Sequence, residues 1–215
     1  MSPLDTGPAD AAVRLILAHG AGAPMTSPFM EQMAALLADR GIAVTRFEFA
    51  YMAARREGGK RRPPPKAELL ADDYVAVARQ AASVMPPGQC MLIGGKSMGG
   101  RVASLIADRL FGQRAIAGLV CLGYPFYPPA KLEQLRTSHL VGLTCPALIV
   151  QGERDPLGSR AEIEAMQLSA NITMVWAADG DHDLGPRGNS GHTRKGNLAF
   201  AADQIAAFAS GIAAG

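Results

Sequence analysis

Met91-Leu92-Ile93-Gly94-Gly95-Lys96-Ser97-Met98-Gly99-Gly100 is the stretch from which the rest of the chain can be read. An apolar run ends in Gly-x-Ser-x-Gly (Gly95, Ser97, Gly99), and a helical pattern from Met98 to Phe111 follows at once. A strand that stops, a sharp turn and a helix that begins put the serine at the apex, which is the sequence form of a nucleophile elbow. The glycines have a steric purpose. A serine in a strained backbone conformation leaves no room for side chains two positions away, where neighbouring strand and helix close in. The pentapeptide carries little information in a chain with 24 glycines. Its weight comes from the strand before it and the helix after it.

Working outward, strand and helix patterns alternate. Short apolar runs at 13–18, 42–49, 90–94, 116–122, 146–150 and 172–176 read as six strands. Helical patterns fall at 28–41, 66–85, 98–111, 159–168 and 193–212, several with start and stop signals such as Ser27-Pro28 and Gly41. Residues 51–65 and 123–145 read as irregular connections, and 1–11, rich in Pro, Asp and Ala, as a loose tail ahead of one domain over 12–215. Most of the strands are continuously apolar, as expected of a mostly parallel sheet of about six strands with helices on both faces. Ligands of such sheets lie beyond the carboxyl ends of the strands. Only the strand-to-helix loops therefore need searching.

Four of those loops carry suggestive residues: His19 to Pro24, the Ser97 turn, Gly152 to Pro156 and Asp179 to Asp183. A serine hydroxyl needs a base, and imidazole is the side chain matched to taking and returning a proton near neutrality. A carboxylate on the far ring nitrogen fixes the tautomer and stabilises the imidazolium. His182 follows the last strand, where the sheet rule puts the base; His19, His139 and His192 are the competitors. Asp155 follows the fifth strand and is favoured as the acid over Glu153 and the Asp179/Asp181/Asp183 group. The expected donors to an oxyanion are the backbone amides of Met98, at a helix start, and of Ala21, with Gly22 as the alternative, in the small-residue turn after the first strand. The order Ser, Asp, His is that of the α/β-hydrolases. A phosphate-loop reading of Gly94-Gly95-Lys96-Ser97 fails because position 90 is Cys90 and not glycine.

The chain thus resembles the α/β-hydrolase superfamily from Leu15 to its last helix. More closely it is similar to the testis-expressed-protein-30-like or NSL-complex-subunit-like branch, relatives of dienelactone hydrolases. The matching stretches are Leu17 to Ala23, Gly94 to Arg101, Gly123 to Phe126, Gln151 to Gly158 and Gly180 to Leu184. The resemblance implies Ser97 as nucleophile, Asp155 as acid and His182 as base. It implies no metal and no cofactor. The first two strands of the full superfamily sheet are absent from this reading, and 123–145 is too short for a full cap domain, so a minimal, open hydrolase with a shallow site is expected. Dienelactone hydrolases use cysteine at the elbow, and Ser97 argues against their substrate. Small esters or thioesters are the expected substrates, and a non-catalytic binding or scaffold protein is the alternative. Lys96 beside the serine, with Tyr124 and Phe126 after the fourth strand, would contact substrate.

Composition narrows the setting. Hydrophobic content of 48% and charged content of 19% are those of an ordinary globular protein, and a net charge of +2 gives no reason to expect nucleic acid. Three cysteines without a CxxC pair suit reduced thiols in the cytoplasm. No apolar run is long enough to cross a bilayer. The stretch Arg55 to Lys66 stands apart, with six basic residues and one acid giving 6 − 1 = +5 and leaving 2 − 5 = −3 for the remainder. It reads as a solvated loop or, more sharply, as a contact for an anionic ligand.

Overall fold

The apolar runs form strands because core covers both of their faces. In the computed structural model, which describes residues 3–56, 58 and 63–214, the chain runs β1 (Leu4–Thr6), β2 (Val13–Ala18), α1 (Pro28–Ala38), β3 (Ala43–Phe47), α2 (Ala50–Arg56), α3 (Ala71–Ala82), β4 (Cys90–Lys96), α4 (Met98–Gly112), β5 (Gly118–Leu122), β6 (Ala147–Gly152), α5 (Arg160–Glu164), β7 (Ile172–Ala177) and α6 (Arg194–Ala213). Every residue of β3, β5 and β6 is buried. The strands make one seven-stranded sheet in the order β1-β3-β2-β4-β5-β6-β7. All pairings are parallel except that of β1 with β3.

Alternate residues of each strand supply two cores. Ile16, Ile93, Cys121 and Ile149 face Tyr74 and Val75 of α3 and Val102, Ile106 and Leu110 of α4. Leu15, Leu17, Leu92, Val120 and Val150 face Phe29, Met33 and Leu37 of α1 and Leu198 and Ile205 of α6. β4 lies at the centre of the sheet and runs one residue pair longer than its apolar pattern, through Gly95 and Lys96, so that Ser97 follows the strand directly. The Tyr74 hydroxyl ties this strand to its neighbour. It accepts from the Gly94 amide at 2.8 Å and lies 2.7 Å from the carbonyls of both Ile16 and Gly94.

Several elements differ from the sequence reading. Residues 4–6 are not a loose tail but the antiparallel edge strand β1, so one of the two strands thought to be missing ahead of β2 is present. Its partners explain it: Asp5 accepts from the Thr45 hydroxyl at 2.5 Å and from the Arg14 guanidinium at 2.9 Å. The polar residues of β3 are therefore paired internally instead of facing water. The 51–65 connection opens with α2, and the basic stretch at 57 and 59–62 lies outside the described residues. The helix expected over 66–85 is a 3₁₀ turn, Ala67–Leu70, followed by α3. The helix expected over 159–168 shrinks to α5, started by a capping box between Ser159 and Glu162. Among the described residues no helix is long and apolar enough to cross a membrane, and no cluster of three or more metal-ligating side chains occurs.

Candidate active site

Ser97 stands between β4 and α4 with φ 51° and ψ −116°, a conformation that a side-chain-bearing residue adopts only under constraint. Its amide is anchored to the Leu122 carbonyl at 2.9 Å. The constraint comes from crowding around the motif glycines. A Cβ on Gly95 would lie 2.5 Å from the Gly99 carbonyl carbon, and one on Gly99 would lie 2.6 Å from the carbonyl oxygens of both Ala18 and His19. The end of β2, the turn and the start of α4 are pressed together, and only hydrogen fits between them.

The other two loops meet at this apex. His182 Nε2 is 2.8 Å from Ser97 Oγ, and His182 Nδ1 is 2.8 Å from Asp155 Oδ2. Asp155 is fully buried. Its Oδ1 accepts from the Leu157 amide at 2.8 Å, and its Oδ2 accepts from Gln151 Nε2 at 2.9 Å. Because the carboxylate can only accept, His182 Nδ1 donates, and Nε2 is left to accept from the serine hydroxyl. The loops are tied to each other as well as to the serine. Arg154 N–H donates to the Gly180 carbonyl at 2.8 Å, the Asp179 amide donates to the Glu153 carboxylate at 2.8 Å, and Asp179 pairs with Arg154 and Arg187. Hydrogen bonds from the Arg187 side chain and amide hold the Asp179 carboxyl down to about 2. Asp181 accepts from the amides of Asp183 and Gly185, closing the turn that carries His182.

Of the four histidines, His182 alone reaches Ser97. His19 is buried in the turn after β2. Its Nδ1 donates to the Gly20 carbonyl at 2.6 Å, and its Nε2 accepts from the Phe49 amide at 3.2 Å. It is therefore neutral, and burial pushes its pKa down. His139 is likewise pushed down by burial and bonds Ser104 at 2.9 Å, while His192 is exposed.

The turn after β2 is held through its carbonyls. Tyr51 Oη lies 3.1 Å from the Ala21 carbonyl and 3.4 Å from the Gly20 carbonyl, which also takes the His19 proton. In a planar trans peptide the N–H points opposite to the C=O. With the Gly20 and Ala21 carbonyls turned toward Tyr51, the amides of Ala21 and Gly22 are turned the other way. The Met98 amide opens α4 and is one of the first-turn N–H groups with no partner inside the helix.

Ser97 and Ala21 are shared by two clefts. One, about 510 Å³, is also lined by His182, Lys96, Asp183 and Arg194. The other, about 660 Å³, is lined by Met98, Arg101 and a group of prolines. Lys96 reaches the first cleft, but its ammonium is committed: it pairs with Asp183 at 3.2 Å and lies 5.4 Å from the centre of the Phe29 ring. Burial pushes the lysine pKa down, against the opposing pull of Asp183. Burial, the largest single influence, pushes the Asp183 carboxyl up, but the charge and hydrogen bond of Lys96, with smaller help from Arg194 among others, together outweigh it and hold the carboxyl down.

Tyr124 and Phe126 do not line either cleft, which corrects their assignment as substrate contacts. Both rings are fully buried, packed edge to face at 4.9 Å. Their place in the core follows from their bonds: Tyr124 Oη donates to the Arg136 carbonyl at 2.8 Å, and the Arg136 amide donates to the Phe126 carbonyl at 2.7 Å. Sequence reasoning missed Gln151. It is fully buried, and besides holding Asp155 it donates to the carbonyls of Tyr124 at 3.1 Å and Gly158 at 3.2 Å and accepts from the Tyr124 amide at 2.7 Å. A polar side chain at the end of an otherwise apolar strand, four residues before the acid, was the available signal.

Comparison with known proteins agrees with this architecture. Residues 11–210 match the family model described as the alpha/beta hydrolase domain. A solved alpha-beta serine hydrolase homologue from Coxiella burnetii is 19% identical, with a TM-score of 0.69 over 95% of this chain and 89% of that one. Dienelactone hydrolase from Anabaena variabilis is 21% identical, with a TM-score of 0.70 over 95% and 88%. Est1E from Butyrivibrio proteoclasticus, solved with ferulic acid bound, is 14% identical, with a TM-score of 0.69 over 95% and 93%. At such identities these neighbours speak for the fold.

Proposed function

Because the chain belongs to the alpha/beta hydrolase domain family, we propose that it is a serine hydrolase of small esters or thioesters, with Ser97 as nucleophile, His182 as base and Asp155 as acid. The observation that carries this reading is the unbroken hydrogen-bonded line from Ser97 through His182 to Asp155, at 2.8 Å for each step. Ser97 Oγ attacks the carbonyl carbon while its proton passes to His182 Nε2. The buried Asp155 carboxylate stabilises the imidazolium. The amides of Met98 and of Ala21, or of Gly22, receive the negative charge that develops on the carbonyl oxygen. Collapse of the tetrahedral species expels the alcohol or thiol, which takes its proton from His182 and leaves an acyl-Ser97. Water, deprotonated by the same imidazole, then hydrolyses that ester. No step calls for a metal or a cofactor.

Gln151 acts through Asp155 and is a positioning residue. The closer kinship with the testis-expressed-protein-30-like branch, and a cytoplasmic setting suited to the three free cysteines, belong to the same reading. The test is fluorophosphonate labelling together with hydrolysis of p-nitrophenyl esters of graded chain length. Wild type is expected to label and turn over. Ser97→Ala should abolish labelling and lower kcat by at least about 10⁴-fold. A folded wild type that neither labels nor turns over, or a Ser97→Ala variant that labels equally, would leave the binding-protein alternative.

A further inference from the structure

The cleft on the Met98 side of Ser97 holds a charge cluster that the proposed triad does not use. Lys66, Arg101 and Arg136 line it, and Glu68 is the one carboxylate among its described lining residues, a balance of 3 − 1 = +2. Arg101 lies four residues beyond Ser97, roughly 6 Å along the helix axis at 1.5 Å per residue. Its Nη2 donates to Glu68 Oε1 at 2.5 Å, while its buried Nε has no hydrogen-bond partner among the described residues. Arg136 is held in the same cleft by the buried Tyr124 and Phe126 through its backbone. Burial first, and the Arg101 charge second, push its guanidinium below the usual range. Two guanidiniums line one cleft whose single described carboxylate is already engaged by Arg101, which leaves the site short of an anion. Pro125, Leu135 and Leu157 add apolar wall, and Gln134 is a further polar lining residue.

The two clefts divide the substrate. A leaving group must be within reach of His182 to recover its proton, and His182 lines the other cleft, with Lys96 and Arg194. The acyl portion is therefore left to the Arg101 side. We propose that this cleft is an acyl subsite for a distal anion, so that the favoured substrates are esters or thioesters whose acyl chain ends in a carboxylate or a phosphoryl-type group. This rests on the serine hydrolase reading for the identity of the reacting bond, though not for the binding of the anion.

The test compares kcat/KM at low salt for monoethyl glutarate, ethyl 4-phosphonobutanoate and the neutral ethyl pentanoate, which have acyl chains of similar length. One of the two anionic esters is expected to exceed the neutral one by about tenfold or more, with the better of the two identifying the head group, and the advantage should shrink as salt rises. In Arg136→Gln the ratio of anionic to neutral kcat/KM should fall toward one, and Arg136→Lys should retain part of it. Equal or higher kcat/KM for ethyl pentanoate, or a ratio indifferent to Arg136→Gln and to Arg101→Lys, overturns the proposal while leaving the hydrolase reading intact. Calorimetry on Ser97→Ala separates the two readings. Binding of monoethyl glutarate or ethyl 4-phosphonobutanoate that Arg136→Gln removes supports the subsite even if no ester is turned over, and absence of such binding counts against it.

Discussion

The elbow over 94–100 and the connection over 123–146 sit on adjacent strands, β4 and β5, and both contribute to the walls around Ser97. They are built on opposite principles. In the elbow, each residue type is dictated by atoms a few bonds or one strand away: glycine where Ala18, His19 and Gly99 backbone leaves no space, serine where the chain must turn at φ 51°. In the connection, no element of regular structure intervenes between β5 and β6, and the placing of Tyr124 and Arg136 depends on bonds to each other and to Gln151, 12 and 27 residues from Tyr124. Tyr124 turns inward to meet the Gln151 amide and the Arg136 carbonyl, and Arg136 is carried to the cleft as a result. Local sterics make a site rigid and recognisable. Long-range packing makes it selective, and leaves fewer marks on the sequence.

The sharpest way to break the contrast is to crowd the elbow. Gly99→Ala would place a methyl 2.6 Å from two backbone carbonyl oxygens, and backbone cannot swing aside as a flexible side chain can. The expected cost is about 2–3 kcal/mol or more, which for a chain of this length corresponds to a drop in Tm of roughly 5–10 °C. The end of β2 that must give way leads directly into the turn carrying Ala21, so ester hydrolysis should fall further than the loss of folded protein accounts for. An alanine at this site with unchanged Tm and activity would mean that the crowding does not hold Ser97 in place.

Gln151 links the connection to the line of bonds that ends at the elbow, since one side chain bonds both the backbone of Tyr124 and Asp155, which reaches Ser97 through His182. Gln151→Leu keeps the bulk and removes every polar contact. Leaving the Tyr124 amide and carbonyl unpaired in the interior should cost about 1–3 kcal/mol. Loss of the donor to Asp155 lets the carboxylate, and with it the imidazole, drift from its line. A kcat reduced by roughly 10–100-fold with KM little changed is the signature of misplacement without lost binding. A variant that raises KM alone would assign Gln151 to the cleft wall instead.

The same contrast explains what could be read in advance. The parallel sheet, the strand-ending loops and the positions of Ser97, Asp155 and His182 were legible because apolar runs, glycine spacing and chain order are local or one-dimensional signals. β1 was not, because Leu4-Asp5-Thr6 has no apolar pattern; the strand exists through Asp5, which accepts from Arg14, nine residues on, and from Thr45, 40 residues on. Tyr124 and Phe126 were placed at the substrate because aromatics after a strand end suit a pocket, yet the sequence near them says nothing of which face is water. No local signal marks Arg136 either. Its place in the cleft depends on two rings that looked like the better candidates.

Tyr124→Phe tests that dependence at smaller cost. It removes only the donor to the Arg136 carbonyl, so about 1 kcal/mol of stability should be lost. The readout that matters is selective: hydrolysis of a neutral ester should change less than that of an ester with an anionic acyl terminus. A uniform effect on both would show that the ring supports the whole fold and not the Arg136 wall in particular.

The smallest expected effect comes from two histidines, the buried His19 and the half-buried His139. His19 serves the turn beside the elbow, and His139 lies in the connection; burial pushes both below the ordinary value of 6.5. Their hydrogen bonds require opposite tautomers. His19 carries its proton on Nδ1, toward the Gly20 carbonyl. His139 carries it on Nε2, toward Ser104 Oγ, whose own proton goes to the Arg101 carbonyl. In the unfolded chain both would take a second proton near 6.5, whereas folded they resist it, so the unfolded state binds more protons below that pH. Stability is therefore fully present above about 6.5 and declines as pH falls from there toward the folded values. The depressed carboxyls of Glu68 and Glu153 add a separate loss only below their ordinary 4.5. Urea midpoints between pH 7 and 5 thus isolate the histidines. His19→Asn and His139→Gln should each flatten the slope in that window, whatever they cost at pH 7. If His139→Gln flattens it and His19→Asn does not, the acid sensitivity belongs to the connection, and the turn that presents Ala21 stays ordered after its neighbour has begun to loosen.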